Sequence, residues 1–250
     1  MAILRMPFVR ILCLLGTGLL AGRIAFAGVV AESTRVVFMA GAGERSLQLI
    51  NLNDYPVVVE AWVDDGELDS LPENSRAPII PLPPIFRMDP HGQISLRLLY
   101  SGAPLPKDRE SLFWLNLYEI PPTEIDRSPD AATLTVAIRT QMKVFVRPQD
   151  LPVSASEVPA KLEFLLDNEP GHPHLTVKNP TPYFANLAKL QFTHDAKEVA
   201  EAVTVGPYGD ADVDVKAEDA ARAEATAAFT LIDDDGNTEV RARACRIVPR

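Results

Sequence analysis

The chain has 250 residues, with 24 Lys and Arg against 34 Asp and Glu, a formal net charge of −10. An acidic balance argues against sequence-independent nucleic-acid binding, which needs basic surface to neutralise phosphates. Two cysteines and four histidines provide no zinc-type cysteine pairs, and no glycine-rich phosphate loop or nucleophile elbow occurs, so neither an enzyme nor a nucleotide-driven machine is expected, and no cofactor.

Residues 1–27 read as a secretory signal. Arg5 and Arg10 precede an apolar run over 11–22, and Ala25-Phe26-Ala27 offers small residues where a signal peptidase cuts. The run is too short to span a bilayer; the competing reading is a retained N-terminal anchor. Cys13 lies in that run without the small residues that precede a lipoprotein cleavage site. Cleavage after Ala27 starts the mature chain at Gly28, removes three arginines and no acid, and shifts the charge from −10 to −13. Only Cys245 then remains, so no intrachain disulfide can form.

Beyond the signal the pattern is of strands. Leu47-Gln48-Leu49 alternates, and Pro56-Val57-Val58-Val59-Glu60-Ala61-Trp62-Val63 is rich in β-branched residues and ends on the turn signal Asp64-Asp65-Gly66. Gln93-Ile94-Ser95-Leu96-Arg97-Leu98 alternates as a half-buried strand should. Proline clusters at Pro81-Leu82-Pro83-Pro84 and Ile120-Pro121-Pro122 punctuate these runs, and the whole reads as an antiparallel sandwich. Residues 134–143 place Leu134, Val136, Ile138 and Met142 on one face, with Thr135, Arg139 and Gln141 between them. Alternation of this kind also suits an ordinary core strand. Residues 149–154, after Pro148, read as a linker between a first unit over 28–148 and a second over 155–250. The second unit restarts with Lys161-Leu162-Glu163-Phe164-Leu165-Leu166 and His174-Leu175-Thr176-Val177-Lys178. Residues 217–230 are alanine-rich and have a helix's composition. The run Asp233-Asp234-Asp235-Gly236-Asn237 reads as a hairpin turn and lacks the spaced ligands of a calcium loop. His172-Pro173-His174, in a loop, lacks a third metal ligand in the pattern, and Cys245 has no histidine close in sequence.

Leu105-Pro106-Lys107-Asp108-Arg109-Glu110-Ser111-Leu112-Phe113-Trp114-Leu115-Asn116-Leu117-Tyr118-Glu119-Ile120-Pro121-Pro122 resembles the signature segment of PapD-like periplasmic pilus-assembly chaperones. Thr34-Arg35-Val36-Val37-Phe38 resembles the family's first strand. Gln141-Met142-Lys143-Val144-Phe145-Val146-Arg147-Pro148 resembles the end of its first domain, and Asn179-Pro180-Thr181-Pro182-Tyr183-Phe184 the opening of its second. The resemblance implies an all-β chain of two immunoglobulin-like β-sandwich domains arranged at an angle. It implies a periplasmic chaperone that holds pilus subunits by lending them a strand and delivers them to an outer-membrane usher. On that reading Leu134, Val136, Ile138 and Met142 fill the subunit's groove, and Arg35 and Lys143 grip its C-terminal carboxylate. Glu110, Arg147 and Asp234 form a charged network between the domains, the third position being open by one residue along the acidic run. The chain departs from the family in its acidity and in lacking a disulfide in the second domain. The modest segment over 123–133 suits the short-loop branch better than the long-loop branch. The same fold chaperoning a non-pilus surface fibre, and a secreted immunoglobulin-like binding module, are the alternatives.

Overall fold

A computed structural model describes residues 28–122, 136–167, 173–192, 198–215 and 226–248. The expected signal peptide, Leu134, the 123–133 segment, His172 and His194 lie outside the described residues. Among these residues no helix is long and apolar enough to cross a membrane.

The first half is a sandwich. One sheet orders β1 (Val29–Ala31), β3 (Glu44–Asn51), β7 (Gln93–Tyr100) and β5 (Ile79–Leu82). The facing sheet orders β2 (Arg35–Met39), β9 (Ile138–Arg147), β8 (Ser111–Ile120), β4 (Val57–Asp64) and β6 (Ile85–Met88). Period-two alternation is what a sheet with one buried face demands. Leu47 and Leu49 of β3 and Leu96 and Leu98 of β7 accordingly point inward onto Val59, Leu115 and Val144 of the opposite sheet. Burying each such side chain stabilises the fold by ~1.5–3 kcal/mol. Pro81 lies within β5 rather than between strands; β5 is an edge, where a missing N–H costs no ladder bond. At the turn after β4, Gly66 adopts φ +96°, and a Cβ there would run into the Trp114 ring.

The second half repeats the architecture. One sheet orders β14 (Gly209–Asp214), β11 (His174–Asn179), β10 (Glu163–Asp167) and β17 (Arg246–Val248). The other orders β13 (Glu198–Val205), β12 (Ala185–Phe192), β15 (Thr226–Ile232) and β16 (Thr238–Ala244). Phe164, Leu175, Phe192 and Phe229 fill the core between them. The two sandwiches share a corner device. Asn51 Nδ2 donates to the Tyr55 carbonyl at 3.0 Å, and Asn179 Nδ2 to the Tyr183 carbonyl at 2.6 Å. Each Asn Oδ1 accepts the N–H two residues on, from Asn53 and Thr181 respectively. Between the sandwiches, Ser154 closes a capping box with Glu157 ahead of α1 (Val158–Lys161). Tyr183 Oη donates to the Val153 carbonyl at 2.7 Å, fastening this connection to the second sandwich.

Three expectations need correction. The antiparallel pattern is broken at two edges, where β2 runs parallel to β9 and β17 parallel to β10. The helix expected over 217–230 is not one in its described part: residues 226–230 belong to β15, between β12 and β16. Ala227 and Phe229 are buried there, so packing of small and aromatic side chains into the core overrides alanine's helical preference. His174 opens β11 instead of lying in a loop.

Candidate functional site: a basic cleft beside an open strand edge

β2 and β9 bring two cations together. Their parallel register pairs Arg35 with Lys143, Val36 with Val144 and so on to Met39 with Arg147. β2 therefore covers β9 from residue 143 onward. Upstream, residues 138–142 pair with β8 on one side, and no other described strand covers the opposite edge. An uncovered edge is a template for another strand.

The side chains on that stretch divide sharply. Val136 is 58% exposed, just ahead of the strand, and Ile138 is 46% exposed. Met142 shares their parity but is only 5% exposed, packed with Val144 and Val146 in the chain's own core. Met142 thus departs from its expected place on the donor face: β9 has already entered the sandwich there, and the opposite sheet covers it. On the other face Arg139 donates to Asn116 Oδ1 at 2.9 Å, the Leu68 carbonyl at 2.6 Å and Asp64 Oδ2 at 3.2 Å, and it lies over the Trp62 ring. Asp64 in turn accepts from Trp62 Nε1 and Asn116 Nδ2. This buried network ties the beginning of β9 to the turn after β4.

Arg35 is 8% exposed, and its Nε is buried without a hydrogen-bond partner. Its Nη1 reaches the Ile232 carbonyl at 3.4 Å. Burial lowers its pKa, against the opposing pull of Asp233 and Asp234. Lys143 Nζ lies 5.4 Å from the Trp114 ring centroid and donates to Asn186 Oδ1 at 2.6 Å and to Thr204 Oγ1, both on the second sandwich. Burial, and then the charge of Arg35, bring its pKa down to about 8. A carboxylate placed between these two desolvated like charges would relieve both the repulsion and the unpartnered Nε.

Glu110, Arg147 and Asp234 meet across the two sandwiches. Arg147 Nε donates to Glu110 Oε1 at 2.7 Å, and its Nη1 and Nη2 to Asp234 Oδ2 and Oδ1 at 2.6 and 2.7 Å. Asp233, the neighbouring candidate, accepts instead from the N–H groups of Asp235 and Asn237 within its own turn. Phe184 N–H donates to Glu110 Oε2 at 2.8 Å, and Glu110 N–H donates to the Pro182 carbonyl at 2.9 Å. Burial raises the Glu110 pKa, with Arg147 and the Phe184 N–H pulling back. For Arg147 desolvation opposes the charge, but the bonds to Asp234 and Glu110 outweigh it and raise the pKa. Arg35, Glu110, Arg147 and Asp234 all line a cavity of about 420 Å³ between the sandwiches. Sequence reasoning missed Asn186, Thr204 and the Arg139 network, whereas Arg35, Glu110, Lys143, Arg147 and the 179–184 segment each lie in a stretch with a local signal.

Family models match both halves of the chain. The N-terminal domain of the PapD pili and flagellar-assembly chaperones matches residues 28–152, and the C-terminal domain of the PapD pili assembly chaperones matches 157–242. The Bordetella pertussis chaperone protein FimB/FhaD is 36% identical over 183 residues, 71% of this chain and 73% of that protein. The crystal structure of the Pseudomonas aeruginosa CupB2 chaperone aligns with TM-score 0.71 and 32% identity over 86% of this chain and 100% of that one. The Salmonella enterica SafA pilin in complex with the SafB chaperone aligns with TM-score 0.72 and 26% identity, covering 87% of this chain and 96% of that one. With a two-sandwich fold and family models over both sandwiches, this chain belongs to the PapD-like pilus-assembly chaperones.

Proposed function

We propose that the chain works in the periplasm, exported by a signal cleaved after Ala27, and captures pilus subunits by lending them the edge of β9. A subunit that lacks one strand exposes an apolar groove flanked by unpaired backbone, a combination that aggregates. The open edge at 138–142 offers backbone pairing, and Leu134, Val136 and Ile138 fill the groove; strand addition is an established mode of chaperone–pilin recognition. Arg35 and Lys143 bind the subunit's C-terminal carboxylate and fix the register, since a slip of one residue would present the polar face. The carrying observation is the direct pairing of Arg35 with Lys143 at the point where the edge of β9 stops being open. Release follows from exchange with a better-fitting strand at an outer-membrane usher, without nucleotide, cofactor or chemistry. The test is periplasmic co-expression with a fibre subunit bearing either its native C-terminus or one extended by several residues. Retention of the native form and loss of the extended one supports the reading; equal retention overturns it.

A further inference from the structure

Glu119 is 6% exposed at the end of β8, and its partners among the described residues are neutral. Oε2 accepts from the Val29 N–H at 2.8 Å, and Oε1 from Asn53 Nδ2 at 2.7 Å. A buried carboxylate without a cation is costly. Beside it, Asn53 is 2% exposed and its Oδ1 has no hydrogen-bond partner. Flipping that amide would not help, because Nδ2 is held between two acceptors, Glu119 Oε1 and Asn51 Oδ1 at 2.9 Å. The site therefore lacks a positive charge and a hydrogen-bond donor.

Gly28 stands at the mouth of this site. Its carbonyl accepts from Leu52 N–H at 2.9 Å, and a Cβ built on it would lie 3.5 Å from Glu119 Oε2. While residue 27 is attached, the Gly28 nitrogen is a neutral amide with one N–H. Hydrolysis of the Ala27–Gly28 peptide bond gives Ala27 a carboxylate and Gly28 an amine, which takes up a proton. An ammonium is a cation with three donors, the two properties missing here.

We propose that Glu119 and Asn53 form a buried receptor for the N-terminal ammonium of the processed chain, so that signal removal completes the first sandwich. This rests on cleavage after Ala27. Intact mass and N-terminal sequencing of the exported protein test that premise separately: a start other than Gly28 overturns the proposal and leaves subunit capture untouched. With the start at Gly28 established, chains beginning at Gly28 and at an added alanine are compared by thermal unfolding at pH 6. The extended chain should melt lower by roughly 3–10 °C, and equal melting temperatures would overturn the proposal. Glu119→Gln should erase the difference between the two starts; persistence of the difference counts against it. Because that variant could fail to fold, the wild-type amine is also titrated by competitive acylation. It should titrate above the ordinary range of about 7.7–8.0, and an unshifted amine overturns the assignment. The sign is that of a raised folded-state pKa: the stabilisation is full below the unfolded value and is lost as pH rises through the folded one.

Discussion

Lys143 of the first sandwich donates to Asn186 of the second at 2.6 Å. In the empty protein the lysine that would meet a subunit's carboxylate is therefore already engaged across the cleft. Asn186 and Thr204 hold its ammonium beside Arg35 with neutral oxygens, which leave the lysine's charge unbalanced by either of them.

Replacing either cation tests the anchor. Charge-assisted hydrogen bonds contribute ~1.5–3 kcal/mol each, so Arg35→Ala or Lys143→Ala should weaken subunit capture by about 10- to 150-fold. Far-UV circular dichroism and a size-exclusion profile should be unchanged. Quantitative pull-down from the periplasm measures the effect, and full capture by both variants would remove the anchor.

The donor strand makes a contrasting pair of predictions. Val136→Asp and Ile138→Asp alter exposed positions, so each should leave stability nearly unchanged and reduce capture. Met142→Ala opens a cavity in the core and should cost about 2–5 kcal/mol in a urea unfolding experiment, with capture affected only through folding. If Met142→Ala lost capture at unchanged stability, the division of β9 at this residue would be wrong.

Capture should depend on alkaline pH. Burial and the nearby Arg35 bring the Lys143 pKa to about 8 from 10.5, so above pH 8 the empty site loses the lysine's charge and keeps that of Arg35. Affinity for a subunit should then fall by up to about tenfold per pH unit, since 1.36 kcal/mol accompanies each pKa unit. Stability moves the other way. Between pH 8 and 10.5 the unfolded lysine binds more protons than the folded one, so this group makes the empty protein more stable as pH rises. Binding isotherms and unfolding curves at pH 7, 8 and 9 measure the two slopes.

The charged network predicts an asymmetry. Arg147→Ala strands the buried Glu110 carboxylate and should cost about 3–5 kcal/mol. Asp234→Ala removes a half-exposed partner and should cost less. Asp233→Ala should disturb the turn that it caps and leave the Arg147 pair intact. Chemical denaturation of the three variants ranks them.

Much of this was legible because it is local. Leu47, Leu49, Leu96 and Leu98 announce their buried face by period two, and Asn179 to Phe184 carry their corner in six consecutive residues. Three features were not local. Met142 has the same parity as Ile138, and only the opposite sheet decides which of them is covered. Residues 226–230 have a helix's composition, but their burial between two strands decides otherwise. Asn186 and Thr204 lie on different strands with no motif around them, and only the packing of the second sandwich brings them to Lys143.

The boundary on β9 at residue 143 sets a direction as well as a position. A guest strand that pairs with 138–142 and ends in a carboxylate at Arg35 and Lys143 must run in the same sense as β9. It then lies in line with β2, and its last residue abuts the first residue of that strand. On the proposed capture mode the start of β2 would act as a mechanical stop: a guest lengthened at its C-terminus would have no room to slide further along the edge. Measurement of the guest's end would then be steric as well as electrostatic.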